Sequence, residues 1–176
     1  MDITKINRST FLKTGFAAVS AFAFNRSWAQ VQQQERPQPL KLELVKEFVS
    51  ASHGKFDSVK EMLENDPLFL HASYDWGGGD FETGIEAAGH VGNKEIANYL
   101  LSKGARYNVY LACMLGHLDI VKQVLNFNSG LLNSKGPHGF TMLHHAMKGG
   151  EESAKVVEYL QSLGAKETRI DFYKKA

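Results

Sequence analysis

The chain has 176 residues, 43% apolar and 22% charged, a balance that excludes disorder throughout and allows one compact folded unit. Its formal net charge is +1, but Lys5, Arg8, Lys13, Arg26 and the acid Asp2 fall in the first 29 residues; of the totals of 20 and 19 this leaves 16 basic and 18 acidic, a charge of −2, and no electrostatic footprint for nucleic acid. The one cysteine, Cys113, cannot form an internal disulfide, so stability has to come from packing.

Residues 1–29 run from basic (Lys5, Arg8, Lys13) to apolar (Phe16 to Phe24) and end on Ser27-Trp28-Ala29, the layout of a cleavable secretory signal. Cleavage near Ala29 and a periplasmic or secreted destination are expected. The apolar run is about nine residues where a bilayer needs about twenty, so no stable membrane span is expected. The alternative, an amphipathic N-terminal helix of a cytosolic protein, finds no apolar face continued through Asn25, Arg26 and the glutamines beyond. Arg8-Ser9-Thr10-Phe11-Leu12-Lys13 resembles the bacterial twin-arginine export motif with Ser9 in place of its second arginine, which leaves both that route and the general secretory route open. Residues 30–41, with Gln32-Gln33-Gln34-Glu35-Arg36-Pro37-Gln38-Pro39, are polar and proline-broken, as a linker is.

From residue 42 one frame recurs. Thr83-Gly84-Ile85-Glu86-Ala87-Ala88 leads through Gly92, Ile96-Ala97 and Leu100-Leu101 to Gly104-Ala105 and Asn108. The frame returns in Gly116-His117-Leu118-Asp119-Ile120-Val121 with Val124-Leu125. It returns again in Thr141-Met142-Leu143-His144-His145-Ala146 with Gly150, Val156-Val157, Leu160 and Gly164-Ala165. A weaker, earlier copy runs through Ala51, Gly54, Val59 and Met62-Leu63. Gly54, Gly92, Gly116 and Gly150 are 38, 24 and 34 residues apart. A glycine between two short helices allows the left-handed backbone that closes the first. Small residues on that helix (Ala51, Ala88, Ala112, Ala146) admit the next unit, and a stripe on the second (Ile96, Leu100, Leu101; Ile120, Val124, Leu125; Val156, Val157, Leu160) is expected to be buried.

These segments resemble the ankyrin-repeat family. The resemblance implies an all-α solenoid of about four helix-turn-helix repeats with short or missing hairpins over residues 42–166, followed by a C-terminal cap or frayed tail at 167–176. The 24-residue interval leaves the third repeat no room for a hairpin, so Val109-Tyr110-Leu111 should enter the helix directly and the binding ridge should be gapped. The fourth repeat has about two extra residues around Glu151-Glu152-Ser153, which should lengthen its inter-helix turn. Glu86 stands where the family keeps a histidine and is expected to weaken the hydrogen bonding of its hairpin.

Asp75-Trp76-Gly77-Gly78-Gly79-Asp80-Phe81-Glu82 holds three glycines, but no Lys-Ser/Thr follows them as a phosphate loop requires. The stretch reads as a hairpin tip whose Trp76 and Phe81 are binding anchors, or else as one whose Trp76 packs back onto the first repeat. None of the seven histidines are spaced H-x-x-x-H, and the adjacent His144 and His145 point to different helix faces with no acidic partner at helical spacing, so neither metal nor cofactor is expected. His144 sits at the family's hairpin-histidine position and His117 at its helix-start position. Catalysis is not expected: Cys113 falls at a small-residue position where an inert buried thiol belongs, and no nucleophile–base pair or G-x-S-x-G is present. The resemblance instead implies a monomeric, non-catalytic module that grips a protein partner on its concave face. The family's contact positions map onto Ser52, His53, Asp80, Glu82, His90, Val91, Met114, Leu115, His138, Phe140 and Lys148, and the charge-flanked aromatics Trp76 and Phe81 join them as candidate partner contacts. An exported adaptor is one such use, and an inhibitor or immunity-type protein acting on an exported enzyme is the other.

Overall fold

The computed structural model describes residues 37–173, so the expected export signal and the expected linker as far as residue 36 lie outside the described residues. Among the described residues eight α-helices form four pairs: α1 (Leu42–Ala51) with α2 (Phe56–Asn65), α3 (Gly84–Val91) with α4 (Lys94–Ser102), α5 (Val109–Met114) with α6 (Leu118–Phe127), and α7 (Met142–Lys148) with α8 (Ala154–Ser162). A short antiparallel hairpin, β1 (Ser73–Asp75) and β2 (Phe81–Thr83), precedes α3, with Tyr74 opposite Glu82. The first helices stack in chain order, α1 on α3, α3 on α5 and α5 on α7. The second helices touch as α2 with α4 and α6 with α8.

The spacing of small residues explains this order. Ala88, Ala112 and Ala146 have no exposed surface and Ala51 has 4%, so the first helices approach closely. Ile96 and Leu100 of α4, Val121 and Leu125 of α6, and Val156 and Leu160 of α8 fill the space between helix layers. One apolar cluster spans the first two repeats and reaches Leu111 and Met114 of α5, and a second spans the last two. The buried stripe departs from the expected one at Ile120, which is 42% exposed: Val121, one residue on, takes the inward position of α6.

Helix boundaries follow side-chain chemistry. Asn93, Asn108 and Thr141 accept hydrogen bonds from the backbone N–H groups of Ile96 (3.0 Å), Leu111 (2.9 Å) and His144 (3.4 Å). Asn108 therefore starts α5 at once, as the short third repeat requires. Asp66 and Asn128 cap the 3-10 turns Pro67–His71 and Ser129–Asn133, which lead out of α2 and α6. The extra residues of the fourth repeat form a further 3-10 turn, Gly150–Ser153. Glu86 corrects the expectation of a weakened hairpin: its Oε2 accepts from both the Thr83 N–H (2.9 Å) and hydroxyl (2.7 Å), closing a capping box, and its Oε1 accepts from Asn108 Nδ2 (3.2 Å).

Gly92 and Gly116 close α3 and α5 with φ of +80° and +77°, and a Cβ at either would collide with a backbone carbonyl, that of Lys148 or of Glu152. Gly54 departs from the expected role. Its φ is not positive, and α1 ends through a right-handed Ser52 with Lys55 N–H donating to Ala51 O at 2.7 Å.

Residues 167–171 are a cap. Thr141 donates its N–H to Thr168 O (3.1 Å) and its hydroxyl to Glu167 O (2.6 Å), and Ile170 N–H donates to Gly139 O (2.8 Å). Phe140 and Arg169 form an antiparallel bridge.

Among the described residues no helix is long and apolar enough to cross a membrane.

Two measurements test this packing. Gly116→Ala should cost at least about 2 kcal/mol in urea unfolding, whereas Gly164→Ala, also at positive φ but facing open space, should cost about 1 kcal/mol; equal losses would contradict the collision at Gly116. Separately, His145 is 1% exposed with Nδ1–H donating to Thr141 O (2.8 Å), and burial pushes its imidazole from 6.5 to about 4. The folded state resists protonation here, so stability is full above pH 6.5 and is lost as pH falls toward 4. His145→Asn, followed in EDTA, should lose about 3 kcal/mol less than the parent over that window; an unchanged slope would exclude His145 as its source.

Candidate functional site

The site grows from the hairpin. Alternation along β2 turns Phe81 outward, 58% exposed, and Glu82 inward with no exposed surface. Asp80, the residue before the strand, is also buried, at 6%. Two carboxylates one residue apart are thus taken from water, and each needs a partner of opposite charge or a set of donors.

Those partners come from three repeats. Asp80 Oδ1 accepts the backbone N–H of His138 (2.8 Å), and its Oδ2 takes the Nδ1–H of the same histidine (2.7 Å). His138 lies in the turn Pro137–Gly139 before α7 with φ of +59°, a left-handed conformation that Asp80 holds in place. Glu82 faces three imidazoles. His90 Nε2 from the last turn of α3 is 2.8 Å from its Oε1, His53 Nε2 from the end of α1 is 3.7 Å from that oxygen, and His138 Nε2 is 3.4 Å from Oε2. Trp76 Nε1–H also donates to Oε2, at 2.8 Å. Burial raises the Glu82 carboxyl, but the close approach of His90 Nε2 and the charges of His90, His53 and His138 outweigh it, holding the group below the ordinary carboxylate value. Aromatic packing extends the cluster: Phe140 stacks on His90 (5.1 Å between centroids) and on His144 (3.9 Å), and Trp76 meets Tyr74 and His138 edge-on.

The expected gap in the ridge is therefore filled. With no hairpin entering the third repeat, the turn before α7 leans across it onto the second: Pro137–Gly139 touches α3, and α3 also touches α7. His144 Nε2 bonds the His90 carbonyl (2.8 Å), and Lys94 Nζ donates to Gly149 O (2.7 Å) and pairs with Glu152 (2.9 Å).

Of the residues mapped as partner contacts, His53, Trp76, Asp80, Glu82, His90, His138 and Phe140 are brought together in this cluster. Ser52, Asp80, Glu82, His90 and Met114 are buried, which corrects their reading as surface contacts. Ser52 bonds Phe48 O, Met114 is core, and the other three are held inside by the mutual attraction of carboxylate and imidazole. Trp76, Phe81, Val91 and Lys148 are exposed, while His53, Leu115, His138 and Phe140 are half-buried. Trp76 packs back onto its own hairpin and His138, with Lys46 of α1 over its ring at 5.9 Å. Cys113 is buried and its thiol is pushed up to about 12 by that burial, which leaves it protonated.

The absence of helical spacing among the histidines concealed a convergence over 85 positions of chain, from His53 to His138. A signal for part of it was present. His53 and His90 both end the first helix of their repeat, so stacking puts them side by side, with ring centroids 4.9 Å apart.

Helix pairs stacked in sequence, joined by tight glycine turns and edged by a hairpin, define a repeat solenoid. Residues 85–171 match the family described as ankyrin repeats (3 copies), and the chain belongs to the ankyrin-repeat family. The comparison with curated proteins finds no match. Ankyrin repeats are in general protein–protein interaction modules and typically non-catalytic.

Trp76→Phe keeps the ring and removes the one donor to Glu82 from its own hairpin. A loss of about 1.5 to 3 kcal/mol in chemical unfolding is expected; a change below about 0.5 kcal/mol would show that this bond does not hold the hairpin.

Proposed function

We propose that this protein is an exported adaptor that holds a protein partner on the face formed by the hairpin and the last turns of the first helices. The observation that supports it is the exposure on this face of Phe81 (58%), Val91 (37%) and Trp76 (36%), beside the cations Lys46 and Lys148. Apolar and aromatic anchors rimmed by charge are the composition of protein interfaces. The buried cluster beneath them fixes the hairpin, so the face meets its partner with little ordering cost.

Export rests on the sequence of residues 1–29 and on cleavage near Ala29. Mass spectrometry of the protein recovered from its native host should find Gln30 as the first residue.

The binding reading is tested by affinity capture from envelope extract with the mature chain and with a Phe81→Ala/Val91→Ser double variant, which leaves the buried cluster untouched. Partners recovered by the parent should fall at least tenfold with the variant, about 1.4 kcal/mol or more. Identical recovery, or none above the variant's background, would overturn the assignment of this face.

A further inference from the structure

We propose that His53, Glu82, His90 and His138 form a zinc site that clamps the fourth repeat to the first and second. One ligating atom from each lies within 4.8 Å of all the others. Three imidazole nitrogens and one carboxylate oxygen make a donor set suited to Zn2+, and with four protein ligands the coordination is closed, as in structural sites.

The proton positions carry the argument. His53 Nδ1 lies 3.0 Å from Val49 O and 3.2 Å from Ser50 O; carbonyls only accept, so a hydrogen is on Nδ1 and the neutral ring offers its Nε2 lone pair inward. His138 Nδ1–H is given to Asp80 Oδ2, so its neutral ring likewise offers Nε2 inward. His90 Nε2 is 3.0 Å from His53 Nε2, along the direction a single shared hydrogen would take. That leaves Glu82 Oε1, fully buried, without a hydrogen bond although a ring nitrogen stands 2.8 Å away. Imidazole nitrogens gathered on a buried carboxylate oxygen that lacks a hydrogen bond are the surroundings that a cation at their centre would satisfy.

The dimensions agree. Zn–N and Zn–O bonds of about 2.0–2.1 Å make the edge of a tetrahedron about 3.3 Å. Glu82 Oε1, His90 Nε2 and His53 Nε2 are 2.8, 3.0 and 3.7 Å apart, His138 Nε2 is 3.4 Å from the other Glu82 oxygen, and all four donors lie within 4.8 Å, a set that small side-chain shifts bring onto one ion. The outer groups fit as well: Asp80 on His138 makes a carboxylate–histidine–metal arrangement, backbone carbonyls orient His53, and the Trp76 indole holds the second oxygen of Glu82. A metal can reach the site, because the side chains of His53 and His138 are 31% and 22% exposed and a cavity of about 460 Å³ opens beside Asp80 and His138. The ligands come from helix ends and turns of three repeats, so the ion would cross-link a chain that has no disulfide.

Protons alone, with His90 or His138 carried as a cation, are the competing way to neutralise Glu82, and metal titration separates the two. The untagged chain, stripped with EDTA and dialysed, is titrated with ZnCl2 by calorimetry and its thermal unfolding is followed. One equivalent of Zn2+ with Kd below 1 μM, a raised Tm, and the visible absorption of a tetrahedral site on Co2+ substitution are expected. His53→Gln, at the more exposed ligand, should weaken Zn2+ binding at least a hundredfold while circular dichroism stays that of the parent. Asp80→Asn should weaken it ten- to hundredfold. No saturable binding, more than one equivalent with octahedral Co2+ absorption, or affinity unchanged in both His53→Gln and His138→Gln would overturn the site and leave the proton-held cluster.

Discussion

Two buried carboxylates, Asp80 just before a three-residue strand and Glu82 within it, hold the architecture together. Asp80 and Glu82 are buried where water cannot stabilise them, and the groups that do so come from three of the four repeats. In a solenoid each repeat normally touches only its neighbours, so stability is passed along the stack one interface at a time. Here the second and fourth repeats are also joined directly, through Asp80 with His138, His144 with the His90 carbonyl, and Lys94 with the turn after α7. The result is a short stack with a non-local tie.

The tie exists because something is missing. A hairpin entering the third repeat would stand between the hairpin at Ser73–Thr83 and the turn at Pro137–Gly139 and keep them apart. Asn108 instead caps α5 directly, and the turn closes across the space. Gly89 and Gly92 on the second repeat face Leu111, His145 and the carbonyl of Lys148, so the fourth repeat can approach to backbone contact. The C-terminal residues then bond the back of the same turn through Thr168 and Ile170, which holds His138 from both sides. A shortened repeat, two glycines and a returning tail thus serve one placement, and the binding face inherits its rigidity from that placement.

The helical stack was legible in the sequence because its rules are local and repeated. Alanines and branched residues recur at fixed offsets, and the short interval before Gly116 already implied an absent hairpin. What was not legible were the consequences of that absence. Glu86 looked like a weakened hairpin position and proved to be a complete cap, since a carboxylate three residues after Thr83 accepts from both its N–H and its hydroxyl. The residues of the histidine cluster were all picked out as concave-face positions, but Asp80, Glu82 and His90 are interior. Position in a repeat frame gives the direction of a side chain, whereas its burial depends on what a repeat 58 residues away lays over it, as His138 does over Asp80. Residue spacing did not show the cluster for the same reason, because no single helix contributes two of its four side chains.

The claim on which all of this rests is that Asp80 and His138 bind each other across the missing hairpin. A double-mutant cycle with Asp80→Asn, His138→Gln and the pair, measured by urea unfolding in EDTA, isolates that interaction from any metal. A coupling energy of about 1 to 3 kcal/mol is predicted. Effects that add to within about 0.5 kcal/mol would mean that the two residues act independently and that the fourth repeat is not tied to the second through them.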